Sequence, residues 1–284
     1  MRQAHALRVG AVGFRIGSAW RAPVAAVRTL YEGYPTPADD IPDLTVRLYP
    51  ERPWRRWLRP SVAIGGDYWL PDAAPLPLAQ GLLAAEMGMN LQVALGWRRH
   101  LLLHCSAVER DGRVLLMSGA SGSGKSTLAT LLALSGWRFL GDEFAFVALS
   151  DGAIHPFPRA ASLKNEAVAA VRAAGGVVGP VLEETPKGTI GYWRPPADAI
   201  ARMAEPAPPR LLLFPRFGEA ARVEAMAPSE AFVRLTQAST NYVALGEAGF
   251  SALSRLVQSV PALSIGYPDS GAGLALVERL WGEA

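Results

Sequence analysis

Residues 119 to 126 form a pattern that is able to bind phosphate groups. Its glycines let the backbone curl so that successive N–H groups point at one anion. A lysine near its end places a positive charge on the β- and γ-phosphates, and the serine that follows can ligate Mg²⁺. The pattern is G-x-x-x-x-G-K-S, a Walker A motif, made of Gly119, Ala120, Ser121, Gly122, Ser123, Gly124, Lys125 and Ser126. The sequence therefore predicts a nucleoside triphosphate site, with ATP and Mg²⁺ as its ligands.

Two adjacent carboxylates follow this motif at a short distance. Asp142 and Glu143 lie about eighteen residues after Lys125, at a break between two apolar stretches. Transporter ATPases and most motor-like enzymes place the metal-binding acid much farther along the chain, and no LSGGQ-like signature occurs here. We expect one acid to hold Mg²⁺ and the other to take a proton from an attacking hydroxyl. The alternative is that the pair is a solvated turn.

A histidine upstream of the motif is a third candidate group. Residues 101–108 and 113–118 are strand-like, and Asp111-Gly112 between them is a strong signal for a two-residue hairpin. In that hairpin His104 falls opposite Gly119, at the mouth of the loop. Because a histidine ordinarily titrates near neutrality, we expect a role at the phosphates or beside the acids. The alternative is a structural strand histidine.

The elements around the motif must hold the loop against a sheet. The apolar run 114–117 predicts a strand that enters the loop, and 127–134 predicts a helix that leaves it, with Gly136 as its stop signal. The positively polarised N-terminus of this helix, with Thr127, would face the phosphates. Strand, loop and helix thus occur in the order that phosphate binding requires.

These residues resemble the core of the bacterial HPr kinase/phosphorylase family, whose fold is related to that of phosphoenolpyruvate carboxykinase. The resemblance covers about residues 100–150 at the level of motifs. It extends to the group called HPr-kinase-related kinases through the stretches 156–159, 162–164 and 213–217. It implies an α/β (α+β) fold with a P-loop kinase core of the HPr kinase and carboxykinase type, built on a mixed sheet.

The resemblance also implies roles for individual residues. In the family the histidine, the loop lysine and an aspartate of the acidic pair are catalytic, and the loop serine binds metal. Phosphoryl transfer also needs cations near the γ-phosphoryl oxygens, which brings in two basic residues of the later stretches. The catalytic candidates are His104, Lys125, Asp142, Glu143, Arg159 and Lys164; the metal ligands are Ser126, Asp142 and Glu143; the nucleotide contacts are residues 119–127.

The chain departs from the family at two points. The family pair is two aspartates, whereas Glu143 stands second here, so the identity of the base stays open between Asp142 and Glu143. The downstream acidic signature and the full C-terminal segment for dephosphorylation are not found. Phosphorylase activity is therefore not predicted.

The motifs and the resemblance together predict an ATP-dependent kinase. Its acceptor would be a serine hydroxyl on a small protein or peptide, either an HPr-like protein or a ribosomally made peptide. Two alternatives stay open, a nucleotide-binding regulatory ATPase and a small-molecule kinase. The acidic pair with His104 favours the enzyme, because a switch that only binds nucleotide needs no base.

Composition and patterning set the domain organisation and the compartment. The chain has 284 residues, 50% of them hydrophobic, which is enough for a substantial core. Pro-rich breaks separate short strand-like pieces in a β-rich N-terminal portion, residues 1–75. A kinase core with C-terminal helices follows in residues 76–284, and residues 76–95 read as a helix that leads into it. Residues 1–5 do not open an apolar signal segment and no apolar run reaches bilayer length, so we expect a cytoplasmic protein.

Charge and cysteine content limit the partners. The net charge of +3 is mild, so neither nucleic acid nor membrane is predicted as a partner, and a homo-oligomer stays possible. Cys105 has no second cysteine to pair with, and a buried apolar role is expected for it. Arginines and tryptophans alternate at residues 52–59, which we interpret as a surface coat, with docking of an acidic partner as the alternative.

Overall fold

The computed structural model describes residues 3–69 and 74–284. The chain divides into two compact units, with the boundary between Trp97 and Arg98. Residues 1–2, which belong to the start where no signal segment is expected, lie outside the described residues.

The first unit is a five-stranded sheet with helices on one face. Its elements are β1 Gln3–Val9, β2 Val12–Ser18, α1 Arg21–Leu30, β3 Leu44–Tyr49, β4 Ser61–Gly66, β5 Leu76–Pro77 and α2 Gly81–Gly96. The strands follow the order β1-β2-β3-β4-β5, and β2 and β3 run parallel while the other neighbours are antiparallel. Apolar residues alternate along the strands and face the helices. Gly88 of α2, for example, lies directly over Val46 and Ile64.

The second unit combines twelve further strands with six helices. They are β6 His100–Leu103, β7 Cys105–Arg110, β8 Arg113–Ser118, α3 Lys125–Leu134, β9 Arg138–Gly141, β10 Ala145–Ala148, β11 Ile154–His155, β12 Ala161–Lys164, α4 Glu166–Ala173, β13 Val178–Thr185, β14 Gly188–Trp193, α5 Ala197–Ala201, β15 Pro209–Phe217, β16 Arg222–Met226, α6 Pro228–Ala238, α7 Tyr242–Ser259, β17 Ala262–Tyr267 and α8 Ser270–Glu283. The class is therefore mixed α/β, as the sequence predicts.

A six-stranded mixed sheet forms the centre of this unit, in the order β16-β17-β15-β8-β7-β9. Both of its faces are buried. Leu115 and Met117 of β8 pack in a core with residues of α3 and α8, whereas Val114 and Leu116 pack in a core with residues of α6 and α7. Two three-stranded sheets, β11-β10-β6 and β12-β14-β13, complete the unit.

The strand directions place the carboxyl ends of four strands at one edge of the central sheet. β8 is parallel to β15, which is parallel to β17, and β9 has the same direction because β7 is antiparallel to both β8 and β9. The carboxyl ends of these four strands therefore lie at the same edge. Ligands of α/β sheets bind at such an edge.

The hairpin between β7 and β8 confirms the predicted register. Asp111 and Gly112 have φ angles of 53° and 72°, as a two-residue hairpin turn with two left-handed residues requires. Cys105 pairs with Ser118, so the ladder places His104 next to the start of the loop. The predicted continuous strand at 101–108 is wrong, however, since the chain changes sheets at His104.

The change of sheets has a clear structural basis. β6 pairs with β10, whereas β7 pairs with β8 and β9. At the junction the His104 N–H donates to the carbonyl of Ala238 at 2.8 Å. The backbone N–H of His104 therefore has a hydrogen-bond acceptor although it pairs with neither sheet. His104 is thus not bound by the side-chain alternation of a strand, and its side chain can turn towards the acidic pair.

Two further expectations differ from the observed elements, and helix α1 lies within the portion that was expected to be β-rich. The helix expected at 76–95 begins at Gly81. The expected division after residue 75 also differs from the observed boundary after Trp97, because α2 packs on β3 and β4 of the first unit.

Candidate active site

A Gly-rich loop, residues 119–124, joins β8 to α3. Gly122 and Gly124 have φ angles of 86° and 92°, a region that residues with a Cβ rarely enter. Helix α3 begins directly after the loop, so the first amides of the helix have no intrahelical acceptor. The Ser123 hydroxyl is buried and has no hydrogen-bond partner in the described part of the chain. Phosphate oxygens would satisfy this donor set, so the loop fits the triphosphate that the sequence predicts.

Lys125 is buried beneath this loop. Its Nζ donates to the carbonyl oxygens of Gly119 and Ala120, at 2.7 and 3.0 Å. Burial lowers the pKa of Lys125, while the charges of Asp142 and Glu143 nearby oppose that shift. The ammonium group is thus held at the loop by acceptors that a phosphate can replace.

Asp142 connects the acidic pair to the loop and the sheet. Its carboxylate accepts from the Ser106 hydroxyl and from the Ser162 N–H, both at 3.2 Å, and the Ser126 hydroxyl lies close enough to favour its ionised form. Burial raises the pKa of Asp142, the charge of Glu143 adds to the rise, and these hydrogen bonds oppose it. Ser126 and Asp142, two of the three predicted metal ligands, therefore lie near one another.

Glu143 faces the opposite way, towards solvent and His104. The distance between its Oε1 and the Nε2 of His104 is 3.7 Å, and both side chains are about two-fifths exposed, at 43% and 41%. The structure therefore brings His104 to the acidic pair, as the hairpin register implies. Glu143 is the carboxylate that a large acceptor is able to reach from outside.

The two later basic residues occupy different surroundings. Lys164, at the end of β12, is exposed, and its charge lowers the pKa of Lys125, so the two ammonium groups lie near one another. Arg159 is buried, and its guanidinium lies 5.9 Å from the ring centre of Phe157. Lys164 thus lies near Lys125, and the role of Arg159 at the phosphates stays a prediction.

On its other side the loop touches the ends of β15 and β17. The Tyr267 hydroxyl donates to the Ser123 carbonyl at 3.4 Å, and burial raises the pKa of Tyr267, which keeps the hydroxyl protonated as a donor. A Cβ at Gly124 would lie 2.4 Å from that hydroxyl and 3.2 Å from the Cβ of Phe217. Tyr267 and Phe217 therefore fix the path of the loop directly before Lys125.

We expect Gly124→Ala to weaken binding of a fluorescent ATP analogue by about tenfold or more, the scale of overpacking a tight site. The new methyl group would clash with the Tyr267 hydroxyl. Adding Tyr267→Phe removes that oxygen and should restore part of the affinity. Gly122→Ala is the matched control for thermal stability, because its φ is also positive but nothing lies within 4 Å of its Cβ. Equal effects of the two single substitutions, with no rescue, would exclude the contact as the cause.

The sequence patterns gave no role to Ser106, Ser162 or Tyr267, although Ser162 lies in the stretch 162–164 that carries the resemblance. Ser106 on β7 reaches Asp142, and Tyr267 at the end of β17 reaches the loop, because these strands meet at the same sheet edge. The sequence of β7 holds one weak indication of a functional residue, since Ser106 is a buried polar residue between apolar neighbours. Cys105 is fully buried, and burial raises the pKa of its thiol to about 11, in agreement with the expected apolar role.

The described residues contain no group of three or more His, Cys, Asp or Glu side chains arranged to hold a metal ion. None of the helices described is long and apolar enough to cross a membrane.

Comparison with known proteins gives limited similarity. No family model matches the chain, and no curated protein matches it in sequence. Among solved structures, the Hpr(Ser) kinase/phosphatase from Coxiella burnetii matches over 64% of this chain and 99% of that chain, with 12% identity and a TM-score of 0.28. We therefore base the proposed function on the geometry of the site, and membership in the HPr kinase family stays a prediction.

Proposed function

We propose that this protein is an ATP-dependent kinase with a core of the HPr kinase and carboxykinase type. One observation carries the proposal: the phosphate-binding loop and the acidic pair meet at one sheet edge, where the charges of Asp142 and Glu143 act on Lys125 and the Ser126 hydroxyl lies near the Asp142 carboxylate. A binding loop alone would be equally compatible with a regulatory ATPase. The added carboxylates supply what transfer to a hydroxyl requires, a base and a metal ligand at the same place.

The acidic pair divides into two environments, and we assign the two roles on that basis. Asp142 is buried and lies near the Ser126 hydroxyl, so we assign it as the metal ligand. Glu143 is partly exposed beside His104, so it is the base that meets the acceptor. Mg²⁺, when bound, would neutralise charge that develops on the phosphate oxygens. Lys125 would leave the loop carbonyls and place its charge on the β- and γ-phosphates.

In the proposed reaction the acceptor oxygen forms a bond to the γ-phosphorus. The bond from that phosphorus to the β–γ bridging oxygen breaks, and ADP leaves. The proton of the hydroxyl passes to the Glu143 carboxylate, which His104, at 3.7 Å, helps to orient. Lys164 and the first amides of α3 stabilise the negative charge during transfer.

We propose a serine of a small protein or peptide as the acceptor. A serine hydroxyl has a pKa far above neutrality and needs a positioned base, whereas a histidine or carboxylate acceptor does not. The partly exposed position of Glu143 also supports an acceptor that arrives from solvent on a large molecule. A small-molecule hydroxyl remains the second candidate, since the same groups would serve it.

The stability of the phosphorylated product tests this choice. The protein is incubated with γ-labelled ATP, Mg²⁺ and a lysate, and the labelled species are treated with mild acid and mapped by mass spectrometry. We expect acid-stable label on a serine of a small protein or peptide. Loss of all label in acid would indicate a phosphohistidine or acyl phosphate instead. Label confined to metabolites would favour a small-molecule kinase, and release of free phosphate alone would favour the regulatory ATPase.

A further inference from the structure

The sheet of the first unit has one face that its helices do not cover. Helices α1 and α2 pack on the face formed by the apolar residues, such as Val46 and Leu48. The opposite side, which we call the outer face, is formed by the intervening residues of β1 to β4. Its members are Ala4, Ala6, Arg8, Gly13, Arg15, Gly17, Thr45, Arg47, Tyr49, Ala63 and Gly65.

Two arginines stand next to each other on the outer face. Arg15 of β2 is the register partner of Thr45, and Arg47 lies two residues further along β3 on the same side. Both are exposed, and neither makes a hydrogen bond or an ion pair within the described residues. Their like charges repel one another weakly in solvent, and a bound anion would offset that repulsion.

The two guanidinium groups border a shallow depression in the outer face. Ala4, Arg15, Thr45 and Arg47 line an open depression of about 350 Å³. Small residues next to the depression, such as Gly17, have no side chain that would block a peptide lying on the sheet. The nearby carboxylates are engaged with backbone amides, since Asp43 accepts from the Gly13 N–H and Asp67 from the Thr45 N–H.

The spacing of the arginines favours an extended peptide over a compact anion. The parallel strands β2 and β3 lie about 4.8 Å apart, so diagonal positions two residues along are about 8 Å apart, against about 6.6 Å between alternate residues of an extended chain. Two carboxylates at alternate positions of a peptide would thus meet both arginines at once. Guanidinium groups bind carboxylates in a two-pronged geometry, which adds specificity to the charge.

We propose that the outer face binds an extended acidic peptide, with Arg15 and Arg47 each pairing with one of two carboxylates at alternate positions. The proposal rests on the first unit alone and is independent of the proposed kinase reaction. The aromatic pair Tyr49 and Trp69, with ring centres 6.2 Å apart, borders the same face and offers an apolar contact for a residue between the acids.

Two fluorescein-labelled octapeptides of equal composition test the proposal in the full chain. One alternates Asp and Ala, and the other has its four Asp residues in one block. We expect the alternating peptide to bind more tightly at low ionic strength, as measured by fluorescence anisotropy. The double substitution Arg15→Gln and Arg47→Gln should weaken its binding by about tenfold, the effect of losing two exposed ion pairs.

A matched double variant controls for the loss of net charge. Arg52→Gln with Arg56→Gln removes the same charge from the exposed Arg–Trp stretch, where these guanidinium groups lie over Trp54 and Trp57. Its binding should stay close to that of the unaltered protein, and thermal unfolding should be unchanged in both variants. Equal binding of the two peptides, an equal loss in the control variant, or displacement of the peptide by a single-stranded oligouridine at lower concentration than by unlabelled peptide would overturn the proposal.

Discussion

Lys125→Ala is expected to reduce phosphoryl transfer by at least about 10²–10³-fold, the cost of losing one preorganised group that stabilises developing charge. Lys125 is the buried cation of the loop, and its ammonium contacts the carbonyls of Gly119 and Ala120 in this structure. An alanine leaves α3 intact, since alanine is the best helix former, but removes the charge that would bridge the β- and γ-phosphates. ATP affinity should fall as well.

The measurement combines turnover of γ-labelled ATP with titration of a fluorescent ATP analogue. Arg279→Ala on the exposed side of α8 is the control, because it removes a cation with a relative side-chain exposure of 59% outside the site. Its turnover should match that of the unaltered protein. Normal turnover of the Lys125 variant, with unchanged nucleotide affinity, would contradict the assignment of residues 119–126 as the phosphate loop.

The second large effect is expected at the acidic pair. Asp142→Asn and Glu143→Gln should each reduce the rate by about 100-fold or more, the scale of general-base and metal contributions. The effects of the two substitutions should differ, because Asp142 lies near Ser126 whereas Glu143 lies beside His104. The Asp142 variant should require more Mg²⁺ for half-maximal rate. The Glu143 variant should bind nucleotide and Mg²⁺ nearly normally and fail at transfer.

Stability measurements separate these effects from misfolding. Burial raises the pKa of Asp142, so the folded state favours the protonated form of this carboxyl group. The stability that the protonated form contributes is lost as the pH rises through the raised pKa. Asp142→Asn is neutral at every pH, so at neutral pH its melting temperature in the absence of Mg²⁺ should be no lower than that of the unaltered protein. Asp198→Asn, an exposed carboxylate on α5, is the control for activity. Nearly unchanged rates in both the Asp142→Asn and the Glu143→Gln variant would mean that Asp142 and Glu143 form only a solvated turn.

The sequence by itself determined the local parts of the candidate site. The glycine spacing defined the loop, the apolar run before it defined β8, and the run after it defined α3 up to the stop at Gly136. The turn at Asp111-Gly112 fixed the register of β7 against β8 and so placed residue 104 next to the loop. These features follow from interactions between residues close in the chain, and such interactions leave a readable pattern.

Only the tertiary structure decided which distant groups meet there. β7 lies between β8 and β9, which puts the end of β9 with Asp142 at the same edge as the loop, and β17 brings Tyr267 to the other side of it. The order of strands depends on how whole faces pack, so no short stretch of sequence encodes it. The same holds for the break at His104, where the competition between two sheets overrides the continuous apolar run. Local periodicity predicts an element, but long-range pairing selects its neighbours and hence the composition of the site.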